Sequence, residues 1–243
     1  MVNIDITMTA VLRPGILNET LKNIVKHVVD NPNRFRLIIN IDPIGEKVEP
    51  KEVIDVCRKH FKNVVYNVAD KPSFSKAVKW VWESSDAPYV FHWEDDVNIL
   101  RSINIKDMIR ILHHTRLLSS LRLYTKQTPN KKYFKTFSCY WRYNEKGFYI
   151  AKDWRRQFGL NPILIKKAFI DEAVKRMVDH VNPEKQFRNT QVYMAPLIKK
   201  WKYGLYTKPG DARLVNGRKG QQWKNKMKLQ KPRTGKFLAW DKR

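Results

Sequence analysis

An α/β fold on a mostly parallel sheet is predicted by two features of this chain of 243 residues. Apolar β-rich runs alternate with amphipathic helical patterns through the first hundred residues, and that alternation implies a parallel sheet with helices on its faces. One of those runs, Tyr89-Val90-Phe91-His92-Trp93, ends abruptly in three adjacent carboxylates, Glu94-Asp95-Asp96. A buried strand has no structural use for three acids at its end, and in sheets of this class ligands bind beyond the C-terminal strand ends.

The elements follow in order. Ile4 to Leu12 alternates as a strand and is closed by Arg13-Pro14-Gly15; Asn18 is then the expected cap of a helix whose apolar positions Leu21, Ile24, Val25, Val28 and Val29 recur at three and four. Phe35 to Asp42 reads as a second strand ending at Pro43, followed by a helix over 50–60 and a third strand over 63–68. Ser73 or Ser75 starts a helix through Ala77, Val78, Val81 and Trp82, which leads into the strand that carries the acids. Residues 105–118 are expected to be helical, with Ile105, Met108, Ile109, Leu112 and Leu117 on one face. Short aromatic strands with basic loops are expected from 121 to 150, and a helix from Ile163 to about His180, its stripe Ile165, Phe169, Ala173 and Met177 facing the core. The whole divides into a first half over 1–100, a second half of the same domain over 101–198 and a basic C-terminal extension over 199–243.

Composition narrows the partners. Hydrophobic residues make up 42%, as in a folded protein, and no apolar stretch approaches the roughly 20 residues of a membrane span. The start, Met-Val-Asn-Ile-Asp-Ile-Thr, is unlike a signal peptide, so a cytoplasmic location is expected, with Cys57 and Cys139 as two buried thiols. The net charge is +25 and is unevenly spread. Residues 1–100 hold 13 basic and 14 acidic side chains, 101–160 hold 14 and 3, 161–198 hold 6 and 4, and 199–243 hold 15 and 2. The excess lies outside the segment that ends in the acids, and a field of that sign attracts a polyanion, either nucleic acid or an anionic membrane surface. Trp201, Tyr203, Tyr206, Trp223 and Trp240 are interleaved with these cations and suit either base stacking or core packing.

Clustered acids at a strand end suit a hard divalent cation, Mg2+ or Mn2+, that takes its remaining ligands from a bound phosphate; a solvated acidic turn has the same sequence. His113-His114, Arg155-Arg156 and Lys166-Lys167 are read as surface or packing pairs, because adjacent residues on a helix point about 100° apart.

At this point the chain resembles a nucleotide-sugar-dependent glycosyltransferase of the GT-A (Rossmann-like) fold over residues 4–98, and only weakly beyond. The segment Thr9-Ala10-Val11-Leu12-Arg13-Pro14 is similar to the one that cradles the nucleobase in this family, and Asp42 to the acid that meets uracil or ribose. Lys76 sits where the family has a cation near the nucleotide, and Glu94-Asp95-Asp96 is similar to its DxD motif with Glu94 in place of the first Asp. The resemblance implies a metal held by Asp96, with Asp95 on the ribose or the metal. On the acceptor side it implies a carboxylate, with Glu184 the first candidate and Asp153 the reserve; Glu184 also suits the start of a helix, where an acid complements the dipole. Asp211 to Trp223 is similar to the loop that closes over the diphosphate, where Arg218 or Lys219 would pair with phosphate. That loop lacks the His that many relatives supply to the metal; Asp211 is a substitute ligand or a turn residue.

The resulting expectation is a metal-dependent transferase that moves a hexose or pentose from a nucleotide sugar, UDP-linked by preference, to a polyanion. The expected acceptor is a hydroxymethylated pyrimidine in DNA, as in bacteriophage DNA modification, which would place the protein in the host cytoplasm. A glycan or membrane-surface acceptor, a nucleic-acid-binding protein without catalysis, and a metal-dependent nuclease are the alternatives.

Overall fold

A computed structural model describes residues 4–123, 137–152, 158–160, 162–188 and 191–206, together with the backbone of 214–216, 229–230 and 241–242. Its centre is one nine-stranded sheet. The strands are β1 (Ile4–Leu12), β2 (Arg36–Gly45), β3 (Asn63–Val68), β4 (Tyr89–Glu94), β6 (Leu118–Arg122), β7 (Trp141–Asn144), β8 (Phe148–Ala151), β9 (Ile163–Lys166) and β10 (Lys202–Leu205), in the order β3-β2-β1-β4-β9-β6-β10-β8-β7. β3, β2, β1 and β4 run parallel; β9 runs against both β4 and β6, and β10 is again parallel to β6.

Helices cover both faces. On one, α1 (Pro14–His27), α2 (Pro50–His60) and α4 (Ile105–His113) bury Leu17, Leu21, Ile24, Val53, Met108 and Leu112 against Ile6, Met8, Phe91 and Trp93. On the other, α3 (Phe74–Glu83), α5 (Lys167–Val174) and α7 (Ala195–Lys200) bury Val78, Trp82, Phe169, Ala173 and Leu197 against Ile38, Val90 and Ile165. Strand β4 is buried from both sides because its alternate residues feed the two cores, which explains why it reads as a continuous apolar run. A short helix, α6 (Pro183–Gln186), lies between α5 and α7. No helix among the described residues is long and apolar enough to cross a membrane.

Several boundaries differ from the sequence expectation. Helix α1 begins at Pro14 rather than after Asn18, with Arg13 as its N-cap: the fixed φ of proline suits the first helical position, where no N–H is needed. Strand β2 runs through Pro43 to Gly45, because the register slips there; Val11 pairs with Asp42 and Leu12 with Gly45. Gly45 has φ +142°, and a Cβ on it would lie 2.3 Å from the carbonyl oxygen of Leu12, so only glycine closes this bulge. Helix α4 stops at His113 and buries Ile111 in place of Ile109 as the fully covered position, while Leu117 is exposed and Leu118 opens a strand. Residues Ile163–Lys166 form strand β9 rather than the first turn of a helix; the stripe residues Ile165, Phe169, Ala173 and Met177 are all buried as expected. Cys57 is buried, with its thiol pKa pushed up to about 12 by burial, but Cys139 is exposed.

Candidate active site

The C-terminal ends of β1, β2 and β4 bring three of the predicted acids and one predicted cation together. Register sets the arrangement: Thr9 pairs with Asn40 on one side and Glu94 on the other, and Val11 with Asp42. Two residues further on, the buried Arg13 turns back over the end of β4. Its Nε donates to Asp95 Oδ2 at 2.8 Å, its Nη2 donates to Asp95 Oδ1, and Nη2 also lies 3.3 Å from Asp96 Oδ2. Asp95 Oδ2 accepts from the backbone N–H of Val11 at 3.2 Å, and the Asp95 carbonyl from Thr20 Oγ1 of α1 at 2.8 Å. Burial alone would lower the Arg13 pKa, but Asp95, with Asp96 and Glu94, outweighs it and raises the value well above that of a free guanidinium. Charge-assisted, forked pairing of this kind holds Asp95 in one orientation. The signal for it in the sequence was only that Arg13 follows β1 directly; its partner lies 82 residues away.

Asp42 occupies the neighbouring strand end. It accepts from Asn40 Nδ2 at 3.0 Å and from the backbone N–H of Ser73 at 3.2 Å, and Asn67 Nδ2 donates to Asn40 Oδ1 at 2.7 Å. Burial pushes the Asp42 carboxyl up to about 6; its two hydrogen bonds oppose that, and Asp95 adds to it. Ser73 caps α3 by accepting from the N–H of Lys76, so Lys76 stands exposed on the first turn next to the Asp42 contact. Neither Asn40 nor Asn67 was singled out in the sequence. Both lie inside strands, where period-2 alternation gives polar residues no special meaning.

His92 lies two residues before Glu94 and is fully buried. Its Nδ1 is 3.0 Å from Thr7 Oγ1, its ring meets Trp82 edge-on, and burial lowers its pKa to about 3, so it is neutral. It is part of the core beneath the site.

Glu184 opens α6 and faces a second cluster, at the C-terminal end of β6. Its Oε1 accepts from the N–H of Leu160 at 2.8 Å, and its Oε2 from Arg188 Nη2 at 3.2 Å; Arg188 Nε donates to the carbonyl of Phe158 at 2.7 Å. Gly159 is enclosed by this pair and Arg122: a Cβ there would lie 2.6 Å from Arg122 Nη1 and 3.4 Å from Glu184 Oε1. The loop 158–160 is thus clamped by one carboxylate and two guanidinium groups. Strand order places β6 two strands from β4, roughly 10 Å at the usual inter-strand spacing, so this cluster flanks the acids.

The backbone of β11 (Leu214–Asn216) pairs antiparallel with β5 (Val97–Ile99), the strand that follows the acids, with Asn216 opposite Val97. Arg218, Asp211 and Asp153 lie outside the described residues. Among the described residues no three His, Cys, Asp or Glu side chains form a ready metal cage.

No protein-family profile matches the chain, and no curated protein does. Solved structures do. A mannosyltransferase, PcManGT from Pyrobaculum calidifontis in complex with GDP-Man and Mn2+, superposes with a TM-score of 0.64 at 10% identity over 91% of this chain and 59% of its own. TarS of S. aureus does so with a TM-score of 0.59 at 9% identity, over 93% of this chain and 38% of TarS. TarS 1–349 in complex with UDP-GlcNAc gives 0.57 at 9% identity, over 88% and 58%. The chain spans less than two thirds of the length of each of these proteins. At such identities the likeness is one of architecture: a mixed α/β sheet flanked by helices on both faces, with its parallel strands ending at the acids, which is the GT-A fold.

Proposed function

We propose that this protein is a glycosyltransferase that binds a nucleotide sugar, UDP-linked by preference, at the C-terminal ends of β1, β2 and β4. The observation that carries the proposal is the Arg13–Asp95–Asp96 assembly beside Asp42, built on a fold shared with structures that hold UDP-GlcNAc or GDP-Man and Mn2+. Asp42 accepts from the base or ribose, with Thr9 and Val11 forming the floor of that pocket. Lys76 and Arg218 are assigned to the diphosphate. Asp95, with both oxygens engaged by Arg13 and the backbone, acts chiefly by fixing the strand end and the position of its neighbour.

The residues present fit a hard cation that shares itself between protein and substrate: such an ion takes one or two carboxylates and otherwise phosphate oxygens. Asp96, next to Glu94 and Asp95, would hold Mn2+ or Mg2+. When bound, that cation supplies Lewis-acid stabilisation of the charge on the departing nucleoside diphosphate. In the transfer, the bond between the sugar C1 and the phosphate oxygen breaks with its electron pair going to the diphosphate, and an acceptor hydroxyl oxygen bonds to C1. The proton of that hydroxyl goes to a carboxylate, for which Glu184 is the described candidate and Asp153 the reserve.

A hydroxymethylated pyrimidine in DNA is the acceptor favoured by the charge distribution, with 29 cations against 5 acids over 101–160 and 199–243 taken together. Calorimetry with UDP-sugars with and without Mn2+ tests the donor: metal-dependent binding that Asp96→Asn abolishes is expected, and its absence with every nucleotide sugar would refute the transferase. Mass spectrometry of nucleosides after incubation with hydroxymethylated DNA tests the acceptor.

A further inference from the structure

The described surface carries a second feature that the donor site does not use. At the far end of β10, where the strand begins, a cleft of about 340 Å³ is framed by Arg142 of β7, Lys152 after β8, Lys199 of α7 and Lys202 of β10, over a floor that includes Trp201 and Tyr203. No acid lines it. Sheet register fixes three of the cations. Arg142 pairs with Ile150 and Ile150 with Gly204, so Arg142, Lys152 and Lys202 fall at even positions of adjacent strands and share one face.

Their neighbours are neutralised or hydrogen-bonded, and among the described residues these four are not. Lys166 donates to the carbonyls of Thr115 and Arg116, Lys167 pairs with Asp171, and Lys200 with Glu172. Arg142, Lys152, Lys199 and Lys202 are all exposed and make no side-chain hydrogen bond or ion pair among the described residues. Four like charges held around one concavity repel each other, and an anion with several spaced charges relieves that repulsion. Exposed Tyr140 lies beside Arg142 at the start of the edge strand β7, where stacking on bases is open to it.

We infer that this cleft binds the phosphate backbone of a nucleic acid and anchors the acceptor away from the reaction centre. The inference rests on the DNA-acceptor reading above and adds a place and a register to it. β10 lies three strands from β4, and register sets Leu205 level with Arg122 and His92, so Lys202 lies below that level and the acids above it. With roughly 14 Å across the strands and about 20 Å along them, the two sites are roughly 25 Å apart. At about 3.4 Å per step the anchored phosphates lie about seven nucleotides from the modified base.

The test uses the full chain, a fluorescent duplex of about 20 base pairs, and the triple variant Lys152→Ala, Lys199→Ala, Lys202→Ala, with Lys199→Glu, Lys202→Glu as a second variant. Between about 50 and 200 mM salt, the wild type is expected to lose affinity steeply, and the triple variant to bind about tenfold or more weakly with a log–log salt slope shallower by about two to three. Calorimetric UDP-sugar binding should be the same in all three proteins, which shows that the donor site and fold are intact. If the wild type binds the duplex and the variants bind it equally well, the cleft assignment is overturned while the DNA reading stands. A wild type that binds no duplex at low salt overturns both. Cleft-dependent binding to phosphatidylglycerol vesicles, with none to the duplex, assigns the cations to a membrane surface and overturns the nucleic-acid site.

Discussion

The proposed donor side and the proposed acceptor side of this sheet hold their charges in opposite ways. At the ends of β1 and β4 the charges are buried and paired: the Arg13 side chain is 5% exposed and that of Asp95 4%. Around Glu184 the same kinds of group are partly open, with the carboxylate 28% and Arg188 36% exposed. Beyond them, the cations of the β10 cleft have no partner among the described residues. The first region is a preformed cradle whose geometry depends on charge pairing; the second is a clamp on a loop; the third is open to a partner from outside. Removing one group should therefore cost stability in the first, turnover in the second and acceptor affinity in the third.

The sharpest break of that contrast is Arg13→Ala. It leaves Asp95 and Asp96 buried beside each other without a cation, and breaking a buried pair in this way costs about 3–5 kcal/mol. Equilibrium unfolding in urea should show that loss, with donor binding abolished. An Arg13→Ala protein as stable as the wild type would mean that the pair is solvated, and the contrast with Arg188 would vanish.

Next in size is Glu184. Glu184→Gln keeps an oxygen for the Leu160 N–H but loses proton-accepting capacity. If Glu184 takes the acceptor proton, kcat should fall by about 10²–10⁴ with the donor KM unchanged. Activity kept in Glu184→Gln and lost in Glu184→Ala would leave it only the loop-positioning role that its contacts with Leu160 and Arg188 already support.

How far these regions could be read from the sequence follows from the same physics. The strands that carry Leu12, Asp42 and Glu94 were legible because each is an apolar run followed by a polar break, and the acids 94–96 stand adjacent in the chain; only the extension of β2 to Gly45 was not. The partnership of Arg13 with Asp95 was not, because periodicity carries no information about contacts 82 residues apart. Strand β9 was misread as helix because Ile163-Leu164-Ile165 runs without a break into the true helix at Lys167, and a short apolar run looks alike in both. That reading also hid the reversed strand that connects β4 to β6. Glu184 was found as an acid at a helix start, while its contacts to the 158–160 loop depend on how that loop folds back. The even-numbered row Arg142, Lys152, Lys202 exists only through sheet register.

The smallest predicted effect, and the one that sets the core beneath the site against the site itself, is in the pH dependence of stability. Folding lowers the His92 pKa to about 3 and raises that of Asp42 to about 6. Below about pH 6.5 the unfolded chain takes up a proton at His92 that the folded one refuses, so stability is lost as pH falls, by about 2 kcal/mol at about pH 5. Between about 6 and 3.9 the folded protein holds a proton on Asp42 that the unfolded chain has released, so stability is gained as pH falls, by about 1.4 kcal/mol at about pH 5. The two largely offset each other in the wild type. Asp42→Asn removes the gain and should steepen the acid loss toward the full His92 value, whereas His92→Asn should reverse its sign relative to wild type. Urea unfolding of the three proteins at about pH 7 and 5 reads the difference directly. Donor binding adds a second reading: protonation of Asp42 removes an acceptor from the base or ribose, so the wild-type KM for the nucleotide sugar should rise as pH falls below about 6. A KM that stays level through that range, with unchanged stability slopes in Asp42→Asn, would mean that Asp42 is an ordinary solvated carboxylate and that the nucleotide is held elsewhere.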